Sequence, residues 1–194
     1  GLMERDRLTA FTDGVIAVII TSMVLEMKAP HGADIHALLE LWPVFLSYVL
    51  SFIYVGIYWN NHHHFFQLTP VVNGAILWAN LHLLFWLSLV PFTTSWVGEN
   101  GFATGPAAAY GAVLLMCAIA FYIMERVIVR AQGVDSPLQR AIGRDLKGKL
   151  SPLVYLSGVA LAFYMPAISY ALYALVALIW LIPDRRVEKV MAVR

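Results

Sequence analysis

From Leu8 to Leu25 the chain carries one charged side chain, Asp13. Eighteen helical residues rise roughly 27 Å, close to the hydrocarbon thickness of a bilayer. No water reaches the backbone there, so a spanning segment must satisfy its own N–H and C=O groups, as a helix does. Arg7 and Asp13 stand at the mouth of this segment, six residues apart. Charges at membrane depth are costly and usually face other protein or a water-filled path. The first segment is therefore expected to do more than anchor the chain.

The remaining composition agrees. Hydrophobic residues make up 60% of the chain and charged ones 13%, against about 45–50% and about 25% in soluble domains. The expected class is an all-α integral membrane protein. Its one cysteine, Cys117, sits in an apolar run and gives no disulfide framework; it reads as a small buried hydrophobe. Gly1 reads as a scar of tag cleavage. No cleavable signal is expected, because the first apolar run ends in Glu26 and Lys28 without a small-residue cleavage pattern.

Six spans are expected, near 8–27, 37–59, 71–96, 106–130, 149–165 and 167–183, forming one domain over 1–194. Residues 150–182 are almost continuously apolar and too long for one crossing. Met165-Pro166 is the expected break, since proline lacks the N–H donor and disfavours helix at the residue before it. With six spans, twelve of the thirteen Lys and Arg residues fall on one side and only Lys28 on the other. Positive charge favours the cytoplasmic side. The expectation is a multi-pass protein of the cell membrane (inner or plasma) with both termini in the cytoplasm. Between residues 131 and 149, Leu138, Ile142 and Leu146 recur every four residues opposite Arg140, Arg144 and Lys147. A short interfacial helix after Ser136-Pro137 and a basic loop touching anionic lipid both fit this pattern.

Gly14, Val18, Thr21 and Leu25 are spaced four, three and four apart and share one face of the first helix, with Ser22 beside Thr21. Small and hydroxyl residues favour close helix contact in membranes. Around a symmetry axis the same face would give stacked apolar and hydroxyl rings lining a pore. Both readings stand on the pattern alone. In the second span, Ser47, Ser51, Tyr54, Tyr58 and His62 form a polar stripe that should face protein. The stripe runs into His62, His63 and His64. Successive helical residues point about 100° apart, so the three cannot meet one metal ion unaided. With an ordinary pKa near 6.5, histidines are nonetheless suited to proton-sensitive bonding. The third span carries Trp78, Asn80 and His82. His82 finds no second histidine at matching depth for a bis-histidine haem. Gly105 to Ala112 is rich in small residues that suit a close helix contact. No catalytic constellation, nucleotide loop or TVGYG-type filter stands out, so no enzyme and no nucleic-acid partner is expected.

Arg7, Phe11, Thr12 and Asp13 resemble the Arg-x-x-x-Phe-Ser/Thr-Asp opening of the transmembrane protein 175 family, the endolysosomal and bacterial potassium channels. Tyr58-Trp59-x-x-His62-His63 is similar to that family's second motif, and Leu77-Trp78-Ala79-Asn80 with Leu89-Val90-Pro91-Phe92 to its third span. The resemblance covers essentially the whole chain and implies a bacterial single-repeat member. It implies a homotetramer whose first helix lines a central pore. Val18 would be the narrow apolar gate, Thr21 a hydroxyl ring where K⁺ passes transiently, and Leu25 an outer apolar layer. Arg7, Phe11 and Asp13 would join Trp78, Asn80 and a histidine of His62 and His63 in a network on the cytoplasmic side. No cofactor is implied, and the partners are further copies of the chain, lipid and permeant cations.

Three functions are thus in view. The first is a cation channel with modest preference for K⁺ over Na⁺. The second is a proton-conducting or proton-coupled transporter using Asp13 and the His62–His64 cluster. The third is a haem or metal redox protein of the membrane.

Overall fold

A computed structural model describes residues 2–133, 135–143, 146–182 and 192. Its helices are α1 (Leu2–Leu25), α2 (Ile35–Leu39), α3 (Trp42–Gln67), α4 (Gly74–Ser88), α5 (Val90–Glu99), α6 (Thr104–Gln132), α7 (Pro137–Ile142), α8 (Leu146–Ala162) and α9 (Pro166–Leu181). Four stretches are long and apolar enough to cross a membrane: Glu4–Leu25, Trp42–Gln67, Gly74–Glu99 and Thr104–Gln132; α9 is apolar but shorter. Many large apolar side chains lie on the outer surface, among them Leu153, Leu156, Phe163 and Leu175. In water such an area would be a liability; against acyl chains it is solvated.

Local chemistry sets the helix ends. The side chain of Asp34 caps α2 by accepting from the Ala37 N–H at 3.1 Å, and the chain restarts as α3 with Pro43 in the first turn, where proline's missing donor costs nothing. The second span was expected over 37–59; the α3 helix instead runs from Trp42 to Gln67. The polar run Asn60–His64 does not end it, because helical backbone bonds continue through it and its most inward member, His62, is buried with a side-chain partner. Asn73 caps α4 by accepting from the Ile76 N–H at 2.9 Å. The third stretch breaks at Leu89, two residues before Pro91, which opens α5. Met165 is extended and Pro166 starts α9, so the last apolar run folds back on itself as α8 and α9.

The segment 131–149 forms the expected short helix after Ser136-Pro137, α7, but its apolar side packs into the protein. Ser136 caps α7, but that helix ends at Gly143, whose φ of 56° is a region glycine enters freely. Leu138 and Ile142 are buried within the protein, while Leu146 opens α8 and is exposed. The proposed stripe is thus divided between two helices. Arg144 lies outside the described residues, as do Gly1, the expected end of the last span at residue 183, and the four cations after it.

The long α6 is central, packing on α4, α5, α8 and α9. Two buried clusters follow. One joins α1, α3, α4, α6 and α7 through residues such as Ile16, Val55, Leu83, Met124 and Leu138. The other joins α3, α5, α6, α8 and α9 through Tyr54, Val97, Tyr110, Tyr155 and Tyr173. The polar stripe of α3 runs through both: Ser47, Ser51, Tyr54, Tyr58 and His62 are all buried. Ser51 meets Thr94 of α5 at 2.5 Å and Tyr110 of α6 at 2.9 Å. Buried hydroxyls with partners are stable where lone ones are not.

Candidate functional site

The α1 helix is two-faced. Leu8, Thr12, Ile16, Ile19 and Met23 point inward and are nearly inaccessible. They recur at helical spacing and pack toward α3, α4 and α5. Arg7, Phe11, Gly14, Val18, Thr21 and Leu25 recur four, three, four, three and four apart on the opposite face, and all are exposed. Val18 is 66% exposed and Leu25 84%. The chain therefore presents a membrane-length stripe of α1 that stays exposed among the described residues.

The Thr21 hydroxyl on that stripe donates to the backbone carbonyls of Ala17 at 2.9 Å and Val18 at 3.2 Å. Its hydrogen is occupied by the helix, and its oxygen remains an acceptor facing outward. Ser22 behaves differently. It is half-buried on the flank, donates to the Ile19 carbonyl at 2.8 Å and lines a groove with Val18, Ser88 and Pro91.

On its buried face, α1 is held by a three-residue chain of bonds. The Asn80 amide nitrogen donates to the Thr12 hydroxyl oxygen at 3.0 Å. Its amide oxygen lies 2.7 Å from His62 Nε2, which must then carry the hydrogen and donate. His62 also stacks on Phe66 at 4.4 Å. Thr12, Asn80 and His62 are each at most 2% exposed, so the chain of bonds is dry and pins α1 to α3 and α4 together. A second tie lies outside it. Trp59 Nε1 donates to Asp13 at 3.0 Å.

The structure thus brings Thr12, Asn80 and His62 together, and Asp13 to Trp59. It leaves Arg7, Phe11, Trp78 and His63 apart from them. Phe11 and Trp78 are 55% and 74% exposed, and His63 bonds to Gln67 one turn along its own helix. Among the described residues no ion pair joins Arg7 to Asp13. Trp59 was not singled out as a site residue, although it lies in the quoted Tyr58-Trp59 motif. Its signal was a spacing of three from His62, which places both on the part of α3 that meets α1. The three histidines diverge as helical geometry requires: His62 inward, His63 outward and His64 toward a separate cavity. No group of three potential ligands suited to a metal ion occurs among the described residues. His82 accepts a bond from Trp86 at 3.0 Å.

Residues 7–91, which hold the two-faced helix and both of its ties, match the family described as endosomal/lysosomal potassium channel TMEM175. A potassium channel of Chryseobacterium sp. (strain P1-3) is 56% identical over 187 residues, covering 96% of this chain and 97% of that protein. The chain belongs to the TMEM175 family. A potassium channel of Streptomyces collinus is 34% identical over 188 residues, with 90% of each chain covered. The crystal structure of a lysosomal potassium-selective channel TMEM175 homolog from Chamaesiphon minutus superposes with a TM-score of 0.81 at 29% identity, covering 94% of this chain and 98% of that one. The TMEM175 family comprises ion channels rather than enzymes, and this member is a multi-pass membrane protein and a cation channel.

Proposed function

We propose that the chain conducts K⁺ with modest preference over Na⁺, through a pore formed by the α1 helices of four identical subunits. The observation that carries this reading is the uninterrupted exposed stripe of α1, opposite a face fully buried in its own subunit. The names of the bacterial relatives, potassium channels of Chryseobacterium sp. and Streptomyces collinus, support the choice of ion. In this reading each subunit crosses the cell membrane six times, α8 and α9 being the fifth and sixth spans, with both termini in the cytoplasm.

Four copies of Val18 at one level narrow the path with apolar groups, which oppose ions by dewetting. One turn outward, four Thr21 oxygens replace part of an ion's hydration. They favour the cation that gives up water more easily. Leu25 forms an outer apolar layer, and Gly14 widens the path on the inner side. The Thr12–Asn80–His62 bonds and the Trp59–Asp13 tie keep each α1 in register. Arg7, Phe11 and Trp78, which stand apart from that network among the described residues, meet across subunit boundaries and complete it there.

Thr21→Ala removes the ring's oxygen and little else, because the hydroxyl bonds only to its own helix. Purified protein in liposomes is expected to move K⁺ faster than Na⁺, and the variant to lose that preference while still conducting. Equal K⁺/Na⁺ ratios in the two proteins would remove Thr21 from the filter. Flux that follows only a pH gradient would replace the K⁺ reading with proton transport.

A further inference from the structure

The helices α7 and α8 carry Arg140, Lys147 and Lys149 and no carboxylate. Arg144 and Asp145, between the two helices, offset each other in charge. The end of α7 lies against the start of α8, since Ala141, Ile142, Gly148 and Ser151 border one common space. The fold itself uses Lys147. Its Nζ donates to the carbonyls of Ile179 and Ile182 at 3.3 Å each and lies 5.8 Å from the Trp180 ring centroid, so it closes the end of α9. Arg140 and Lys149 are exposed, and neither enters an ion pair among the described residues.

Lys149 heads an outward stripe of α8. Leu153, Leu156 and Ala160 follow it at spacings of four, three and four, with Leu146 and Leu150 beside it, and all are exposed. Residues at these spacings share one helix face. The opposite face, with Ser151, Tyr155, Gly158 and Ala162, is buried. The outer face of α8 is therefore basic in its first turn and apolar beyond it. A phospholipid has the same order, a phosphate followed by acyl chains. Lysine reaches the headgroup level while its methylenes stay against apolar surface. A zwitterionic lipid would cover the leucines equally well but would bring no net charge to the two exposed cations. Charge complementarity chooses an anionic lipid.

We propose that the corner of α7 and α8 is a docking site for an anionic phospholipid, whose phosphate meets Arg140 and Lys149 and whose acyl chain lies along Leu150, Leu153 and Leu156. The proposal rests on the reading of α8 as a membrane span entered from the cytoplasm, and not on the path of the ion.

The test places a bimane fluorophore at Leu150→Cys in the full-length protein, Cys117 being buried. The protein is reconstituted in vesicles of equal parts phosphatidylglycerol and phosphatidylcholine, with brominated acyl chains, which quench at contact, on one lipid or the other. Quenching is expected to report a preference for phosphatidylglycerol of about fivefold, the size that one interfacial cation supplies. The preference should fall to near parity in the double variant Arg140→Gln, Lys149→Gln, and also in about 1 M salt, where the screening length is about 3 Å. A label at Phe163→Cys, roughly 21 Å from Lys149 along the helix axis, should show no preference. Equal quenching by the two lipids at Leu150→Cys, an unchanged preference in the double variant or in high salt, or the same preference at Phe163→Cys would each overturn the proposal while leaving α8 in the membrane. No quenching by either lipid would overturn the span reading and the proposal with it. If the double variant does not fold, the salt series and Phe163→Cys still decide. Quenching is read without ion flux, so failure here and failure of the channel reading are separate results.

Discussion

Small and hydroxyl residues serve opposite ends in two parts of this molecule. Where α6, α8 and α9 meet, they are filled. A Cβ added at Gly111 or at Gly158 would overlap the ring or hydroxyl of Tyr173. That hydroxyl donates to the Ala107 carbonyl at 3.1 Å, and Ser169 donates to the Gly158 carbonyl at 2.5 Å. Tyr173 in turn accepts at its own carbonyl from the Tyr54 hydroxyl of α3. On the outer face of α1 the same residue types meet nothing. An added Cβ at Gly14 finds no atom within 4 Å, and Thr21 bonds only to its own helix. In the first region composition serves contact. In the second nothing in the described chain covers the face, and the proposed pore uses it.

The contrast is sharpest in paired substitutions. Gly111→Ala should destabilise the subunit by about 3 kcal/mol, the upper range for forcing atoms into a filled core. Gly14→Ala should be neutral or stabilise slightly within the subunit, since alanine favours helix. Thermal unfolding in detergent compares the two, and equal losses would erase the distinction. A smaller loss is expected for Asn80→Leu, which leaves His62 and Thr12 without partners in a dry site. About 2 kcal/mol fits the usual penalty for stranding buried polar groups. Its flux should fall as α1 loses register; full stability and flux would remove the dry tie from the account. The mildest effect on the subunit is expected from Asp13→Asn. The Trp59 bond is exposed, so the same melting experiment should register about 1 kcal/mol or less. Liposome flux should fall more than that stability change suggests, because the altered group lies beside the proposed path.

The sequence carried these two regions unequally. The exposed stripe of α1 was legible from a four-three-four spacing, but whether it met protein or solvent was not. That depends on which face the larger residues Ile16, Ile19 and Met23 bury, a long-range fact. The buried stripe of α3 was legible for the same periodic reason, because unpaired hydroxyls in hydrocarbon must find protein. Met165-Pro166 marked the break in the last apolar run, residues 150–182, through proline's missing donor. The limits of α3 were not legible, since Asn60–His64 is polar and reads as a boundary; only the His62 partner on α4 shows why the helix continues. Nor was the contact around Tyr173, which draws on residues 54, 107, 111, 158 and 169. No local pattern links positions so far apart in the chain. The division of α7 from α8 at Gly143 was hidden by a four-residue recurrence that ran across it.

The most direct measurement places single cysteines on the two faces of α1 and applies a charged, water-soluble thiol reagent to the reconstituted channel. The native Cys117 is fully buried in α6 and should not compete. Val18→Cys and Leu25→Cys are predicted to lose most of their K⁺ flux on reaction, while Ile16→Cys, buried against its own subunit, keeps its flux. Unchanged flux in both outward variants, or equal loss at Ile16→Cys, would contradict the claim that this face of α1 lines the ion path.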